Sequence, residues 1–149
     1  MRLKIVFALL VTTLALAGCE RVDPNSPLGK RTALFKEMLN TSEDLGGMLR
    51  GRVPFSAESF QAGAEQLDRL AHEPWQHFPQ VMDTEGSAAR DDVWQRQERF
   101  QQLARELEAA TGELRVASQE APQDKKRLRP AVQKVEDACE GCHQEFRIY

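Results

Sequence analysis

Apolar residues recur at helical spacing in four separate stretches of the chain, and none of it reads convincingly as a strand. The first stretch runs from Ser26 or Pro27 to Arg50, with Leu34, Met38, Leu45, Met48 and Leu49 at helical intervals. Pro27 suits a first helical turn; Gly46-Gly47 weakens the far end, and Gly51 and then Pro54 stop it. The second begins near Ser56, a suitable N-cap. Phe60, Ala64, Leu67, Leu70 and Ala71 form its stripe, and Pro74 ends it. From Glu73 to Arg90 the period is lost among turn residues, which reads as a long connection. The third starts near Asp91 and Asp92, acids that suit a helix N-terminus. Its stripe is Phe100, Leu103, Leu107 and Leu114, with Val93 and Trp94 at the entrance. The fourth spans about Asp124 to Arg147 and carries Leu128, Val132, Val135, Cys139 and Phe146 along one side. Pro130 either begins that helix or kinks its first turns. Four amphipathic helices in ~120 residues predict an all-α fold, an antiparallel four-helix bundle.

The residues ahead of the first helix read as an address. Arg2 and Lys4 precede an uncharged apolar run, Ile5 to Leu16, which is shorter than the ~20 residues of a membrane-spanning helix. The run ends in Leu16-Ala17-Gly18-Cys19, which resembles a bacterial lipobox, with cleavage before Cys19 and lipid on its thiol. An ordinary secretory signal also ends in small residues, but it would leave Cys19 as an odd thiol in an exported protein. The expected division is 1–18 signal peptide, 19–29 lipidated Cys19 and a polar, proline-containing tether, and 30–149 the bundle domain. The expected location is the periplasmic side, anchored to a membrane through lipid, with inner or outer membrane left open. Removing 18 of the 149 residues takes two of the 20 basic residues and no acid. That leaves 131 residues with 18 basic against 23 acidic, a net charge of −5. No basic stripe is present, so nucleic acid is not an expected partner.

Charge and length leave the chemistry to the far end, Cys139-Glu140-Gly141-Cys142-His143. This CxxCH pattern is that of c-type haem attachment. Each thiol adds across one haem vinyl group, and the adjacent His reaches the iron as its ligand. Cys139, Cys142, His143 and Phe146 stand at i, i+3, i+4 and i+7, so one helix face carries them all. Two other chemistries compete. A redox dithiol wants a βαβ context, which is lacking, and a zinc site wants a fourth ligand, with no second Cys pair or HxxxH to supply it. Export favours haem, because bacterial haem attachment takes place outside the cytoplasm. No general base, nucleophile or substrate cleft is evident, and an enzyme is not expected.

Across nearly the whole mature chain, the sequence resembles the cytochrome c′ family. The resemblance rests on the C-terminal CxxCHxxFR from Cys139 to Arg147 and on Arg31 followed four residues later by Phe35. It also rests on the Gly-x-Val-Pro-Phe turn from Gly51 to Phe55, on Phe78-Pro79 in the long connection, and on Val93-Trp94 with Phe100 behind. It implies a bundle with one covalently bound c-type haem, His143 as the only protein ligand of a high-spin iron, and an apolar face opposite. By position Phe35 is the distal residue, and Arg31, Leu34, Phe35 and Met38 share one helix face. Phe35 cannot ligate iron, so it leaves the sixth position open but crowded. Low-spin relatives carry a ligating Met at that place. The nearest here is Met38, almost a turn away, and a six-coordinate, Met-ligated electron carrier is the alternative reading.

The same resemblance sets further expectations. An apolar distal side favours the diatomic gases NO and CO over O2, which needs a hydrogen-bond donor. NO is expected to reach the iron slowly, displace Phe35 and weaken the bond to His143, giving a five-coordinate nitrosyl. The function implied is NO buffering or scavenging, or electron transfer with a redox partner protein of unknown identity. Arg31 is expected near a haem propionate, with a solvated side chain as the other reading. Arg147, four residues after His143, returns to the same helix face, and the resemblance implies that it lies near the haem on the His143 side; the other reading is a surface residue at the helix end. His72 and His77 read as exposed loop residues. Relatives pair through their first two helices, which implies a homodimer.

Overall fold

Four long helices carry the chain, in the places that the stripes predict. The computed structural model describes residues 22–80, 82 and 86–149. The helices are α1, Pro27–Arg50; α2, Ala57–Ala71; α3, Gln97–Glu120; and α4, Lys125–Phe146. Two tight turns separate α1 from α2 and α3 from α4. The long connection between α2 and α3 contains a 3₁₀ turn, Pro74–His77, and one helical turn, Asp92–Gln95. Each helix touches its sequence neighbour, and α1 also meets α4, which closes an antiparallel four-helix bundle. Cys19 and the signal segment lie outside the described residues.

Each helix end has a local cause. Pro27 stands in the first turn of α1, and Ser26 caps it by accepting from the Gly29 N–H at 3.0 Å. Gly51 ends α1 at φ 75°, a left-handed position that favours glycine. Ser56 caps α2 by accepting from the Ser59 N–H. Basic residues crowd the first turns of α4, against the helix dipole. Asp124 offsets this by accepting from the N–H groups of Lys126 and Arg127. Pro130 lies inside α4, which begins five residues earlier and continues through it.

Two features depart from the sequence reading. The third helix is broken: Arg96, at φ −120° and ψ 47°, separates the turn Asp92–Gln95 from α3. Its guanidinium pairs with Glu145 at 2.7 Å and lies 5.4 Å over the Phe146 ring, so the break ties the start of α3 to the end of α4. The expected tether is also shorter. Residues 27–29 form the first turn of α1, and 23–26 form a turn held by Ser26 donating through N and Oγ to the Asp23 carbonyl. That turn crosses close above α1: a Cβ on Gly29 would lie 2.1 Å from the Asp23 carbonyl oxygen.

The main core runs the length of the bundle and includes Leu45, Phe60, Leu67, Leu114, Leu128 and Val135. A smaller cluster of Val93, Phe100, Leu103 and Phe146 sits where α3 starts and α4 ends. The same end gathers the start of α1 and the long connection. Arg31 donates to the His77 carbonyl at 3.0 Å and to Ser87 Oγ at 3.3 Å. Residues past α4 pair with the connection, Arg90 N–H to the Phe146 carbonyl and Ile148 N–H to the Ala88 carbonyl.

Phe60 is fully buried in α2, so Phe60→Ala is expected to lower stability by ~3–5 kcal/mol. Leu39→Ala, on the outer face of α1, should cost under ~0.5 kcal/mol. Chemical denaturation of both variants checks the contrast; equal losses would mean that the core lies elsewhere.

Candidate functional site

α4 brings Cys139, Cys142, His143 and Phe146 onto one face, as the spacing requires. Phe146 is buried and the other three are half-buried. Cys139 packs against the main core and Cys142 against the smaller cluster, so the two thiols lie along the boundary between the two. They are not bonded to each other. Burial pushes both thiols up to about 11, helped at Cys139 by the charge of Glu136 and at Cys142 by Cys139 and Glu145. A redox dithiol works through a lowered thiol pKa, so this environment opposes that reading. Among the described residues, no three His, Cys, Asp or Glu side chains converge to hold a metal ion, which removes the zinc reading for them. Burial, and then the charge of Arg147, lower the pKa of His143, which favours the neutral imidazole, the form that can ligate.

Opposite this face stands a seam of aromatic rings. Phe35 of α1 meets Trp75 edge-on at 5.9 Å between centroids and Phe78 at 6.4 Å. Both of these meet Phe100 of α3, at 5.8 and 4.9 Å, and Phe100 meets Phe146 at 5.4 Å, nearly perpendicular. The seam thus runs from α1 through the long connection to the helix of the CxxCH motif. Its polar handles are turned away. Trp75 Nε1–H donates to the Ala71 carbonyl at 2.7 Å and Trp94 Nε1–H to the Pro79 carbonyl at 2.8 Å. Arg31 is buried, with its guanidinium 4.8 Å over the Phe78 ring while it donates to the connection.

Phe35, Trp75, Phe78 and Trp94 are only half-buried, although each packs against a core cluster. Large aromatic rings left part-exposed beside two thiols and an imidazole fit a flat, apolar group that would complete their burial. A covalently held haem suits this donor set and this cover.

The other sequence candidates fall as follows. Arg31 and Phe35 both reach the long connection from α1. His72 is exposed, 3.6 Å from Glu108, and His77 contributes its carbonyl to Arg31. Arg147 leaves the helix: α4 stops at Phe146, and Arg147 is extended, exposed and paired through its backbone with Ala89. Its N–H still donates to the His143 carbonyl at 3.0 Å, its guanidinium lies 5.5 Å from the Tyr149 ring, and its charge acts on the His143 imidazole, so it stays beside His143 although the helix has ended. Trp75 was missed as a site residue, as were Arg96 and Arg99, which clasp Glu145 at 2.7 and 2.6 Å. Trp75 offered a signal, since a Trp in a stretch without period needs an apolar partner.

A family model described as Cytochrome C′ matches residues 26–147. The chain belongs to the cytochrome c′ family. A cytochrome c′ from Halomonas halodenitrificans is 32% identical over 137 residues, which cover 84% of this chain and 98% of that one. A cytochrome c-556 from Agrobacterium tumefaciens is 28% identical over 119 residues, covering 80% and 94%. The solved nitric oxide complex of a mutant cytochrome c prime from Alcaligenes xylosoxidans is 26% identical. It has a TM-score of 0.75 and covers 87% of this chain and 99% of that one. A carbon monoxide-bound variant from the same organism matches with the same identity and TM-score over 87% and 100%. The cofactor of a cytochrome c′ is one covalently bound haem c.

Arg99, and then Arg96, hold the Glu145 carboxyl below its ordinary pKa. Because the folded value is the lower one, the stabilisation is complete above the unfolded carboxylate pKa and fades as pH falls through the folded value. Glu145→Gln should therefore lower Tm at neutral pH, and the gap from wild type should close in acid. A gap that widens in acid would reverse the assignment.

Proposed function

We propose that this cytochrome c′ holds its haem through Cys139 and Cys142, with His143 as the only protein ligand of a high-spin iron, and that it binds NO and also CO. When bound, the haem supplies an iron with one side left open, and the chain decides what reaches that side. The observation that carries this reading is Phe35, an apolar ring on α1 set into the aromatic seam at the position expected to face the iron. A phenyl ring crowds that side without ligating.

The surroundings favour the same ligands. NO and CO need little polar help, whereas bound O2 carries negative charge and needs a donor. The indole N–H groups of Trp75 and Trp94 are spent on backbone carbonyls, and Arg31 is directed into the connection. NO-bound and CO-bound solved relatives with this fold support the choice. The protein serves as an NO buffer or scavenger, or as a single-electron carrier with a redox partner protein, and not as an enzyme. Lipid on Cys19 holds it on the periplasmic side of a membrane, and it pairs as a homodimer.

The second reading, a six-coordinate iron with Met38, draws on one observation: Met38 is buried in the core cluster against which Cys139 packs. Optical spectra separate the two. The wild-type ferrous protein should show a broad, high-spin Soret band that moves on adding NO. In stopped flow, Phe35→Ala should bind NO about tenfold faster or more, equivalent to ~1.4 kcal/mol of barrier. A sharp low-spin spectrum indifferent to CO would establish the Met38 reading, and an unchanged rate in Phe35→Ala would remove Phe35 as the distal gate.

A further inference from the structure

We infer that the haem-bearing end of the bundle rests against the lipid surface, with Val22, Met82, Ile148 and Tyr149 in contact with the bilayer. The inference builds on the lipidation of Cys19 proposed above and adds an orientation and a contact surface.

Three observations lead to it. The first is topological. α1 starts where α4 ends, so the anchored terminus and the CxxCH motif share one end of the bundle. The contacts of that end agree, since Arg31 binds the long connection and the connection pairs with the residues after α4.

The second is the length of free chain. The turn Asp23–Ser26 is held by hydrogen bonds and lies directly over Gly29, so it belongs to the bundle. Between Cys19 and Asp23 stand only Glu20, Arg21 and Val22. Four residue steps span at most ~14 Å. The motif lies within the last eight residues of α4, ~12 Å from its end. Along the bundle axis the motif then lies about 26 Å or less from Cys19 by the same lengths. The opposite end of the 24-residue α1 is ~36 Å further from the anchor.

The third is the surface itself. Val22, Met82, Ile148 and Tyr149 are 44, 52, 55 and 85% exposed and lie at this end, on the tether, the connection and the segment after α4. Among the described residues, the other exposed large apolar side chains, Leu39, Val53 and Val116, are spread along the sides and the far end. Tyr combines an apolar ring with a wet hydroxyl and suits a membrane interface. Lys30, Arg90 and Arg147 are exposed nearby and are balanced in part by Asp23 and Asp91. The end thus lacks a strong cationic field, and the contact is mainly apolar. One consequence bears on the ligand: an apolar gas dissolves better in hydrocarbon than in water, so this orientation places the gas site beside the richer phase.

The test uses the full lipidated holoprotein in vesicles of phosphatidylethanolamine and phosphatidylglycerol doped with a headgroup nitroxide lipid. Ferric iron close to the nitroxide shortens its relaxation, which electron paramagnetic resonance power saturation reads. The wild type should float with the vesicles and enhance relaxation. A variant with a 20-residue Gly-Ser spacer between Val22 and Asp23, and with Val22, Met82, Ile148 and Tyr149 all changed to Ser, should float equally and lose the enhancement. The four-serine variant without the spacer should lose part of it. Wild type that floats without enhancing relaxation overturns the orientation. Enhancement undiminished in the four-serine variant overturns the contact surface. Protein that fails to float, with no lipid on Cys19 by mass spectrometry, overturns the anchor and the orientation together.

Discussion

Edge contacts between aromatic rings hold the functional end of this bundle together. From Phe35 the contacts pass through Trp75 and Phe78 to Phe100 and on to Phe146, three residues beyond His143. Each such pair contributes ~0.5–1.5 kcal/mol beyond the area it buries. The ion pairs at the same place, Arg96 and Arg99 on Glu145, involve side chains that are more than a quarter exposed. Exposed pairs contribute ~0–1 kcal/mol. Ring packing therefore sets the spacing between α3 and α4, and the charges fix only which way Arg96 and Arg99 turn. In the proposed reading the site depends on that spacing, because α4 alone presents the thiols and the imidazole but cannot cover a haem held there.

The cover explains the long connection. α2 ends at Ala71 and α3 begins at Gln97, and neither can reach across the end of the bundle. Pro74 starts a tight 3₁₀ turn that carries Trp75 inward, and Phe78 follows at its end. The carbonyl of Ala71 at the end of α2, and those of Pro79 and His77 in the connection, take the indole and guanidinium donors of Trp75, Trp94 and Arg31. An unpaired buried carbonyl costs ~1–3 kcal/mol, so these bonds stabilise the connection. In the proposed reading they also strip the site of donors. One set of hydrogen bonds thus serves the loop and leaves the aromatic seam apolar.

This division marks what could be read in the chain. The four helices were legible because apolar residues at 3.6-residue spacing, the N-cap at Ser56 and the stops at Gly51, Pro54 and Pro74 point the same way. Cys139, Cys142, His143 and Phe146 were legible because one helix face is a local property. The break at Arg96 was not, because it comes from a guanidinium reaching Glu145 and Phe146 some fifty positions away. Arg147 shows the same limit. The helical count has Arg147 continuing α4, whereas pairing with Ala89 ends the helix first and leaves only the residue's charge and backbone acting on His143. Phe35 lay between these cases. Its place on α1 followed from the period, but its neighbours Trp75 and Phe78 sit in the stretch that has no period at all.

In the proposed anchoring through Cys19, the few residues before Asp23 and the aromatic seam constrain each other. A long tether would let the bundle tumble, and the end that carries the motif would have no fixed relation to the membrane. Here Ser26 and Asp23 fold the approach back onto Gly29, which commits the first described residues to the bundle. Whatever lies ahead of Val22 must then leave from the end where Phe35 and His143 sit. A protein that only shuttled electrons would gain from turning an exposed haem edge toward a soluble partner. One that meets an apolar gas gains instead from setting its haem-bearing end against hydrocarbon. The placement of Val22, Met82, Ile148 and Tyr149 around that end is what the second arrangement requires.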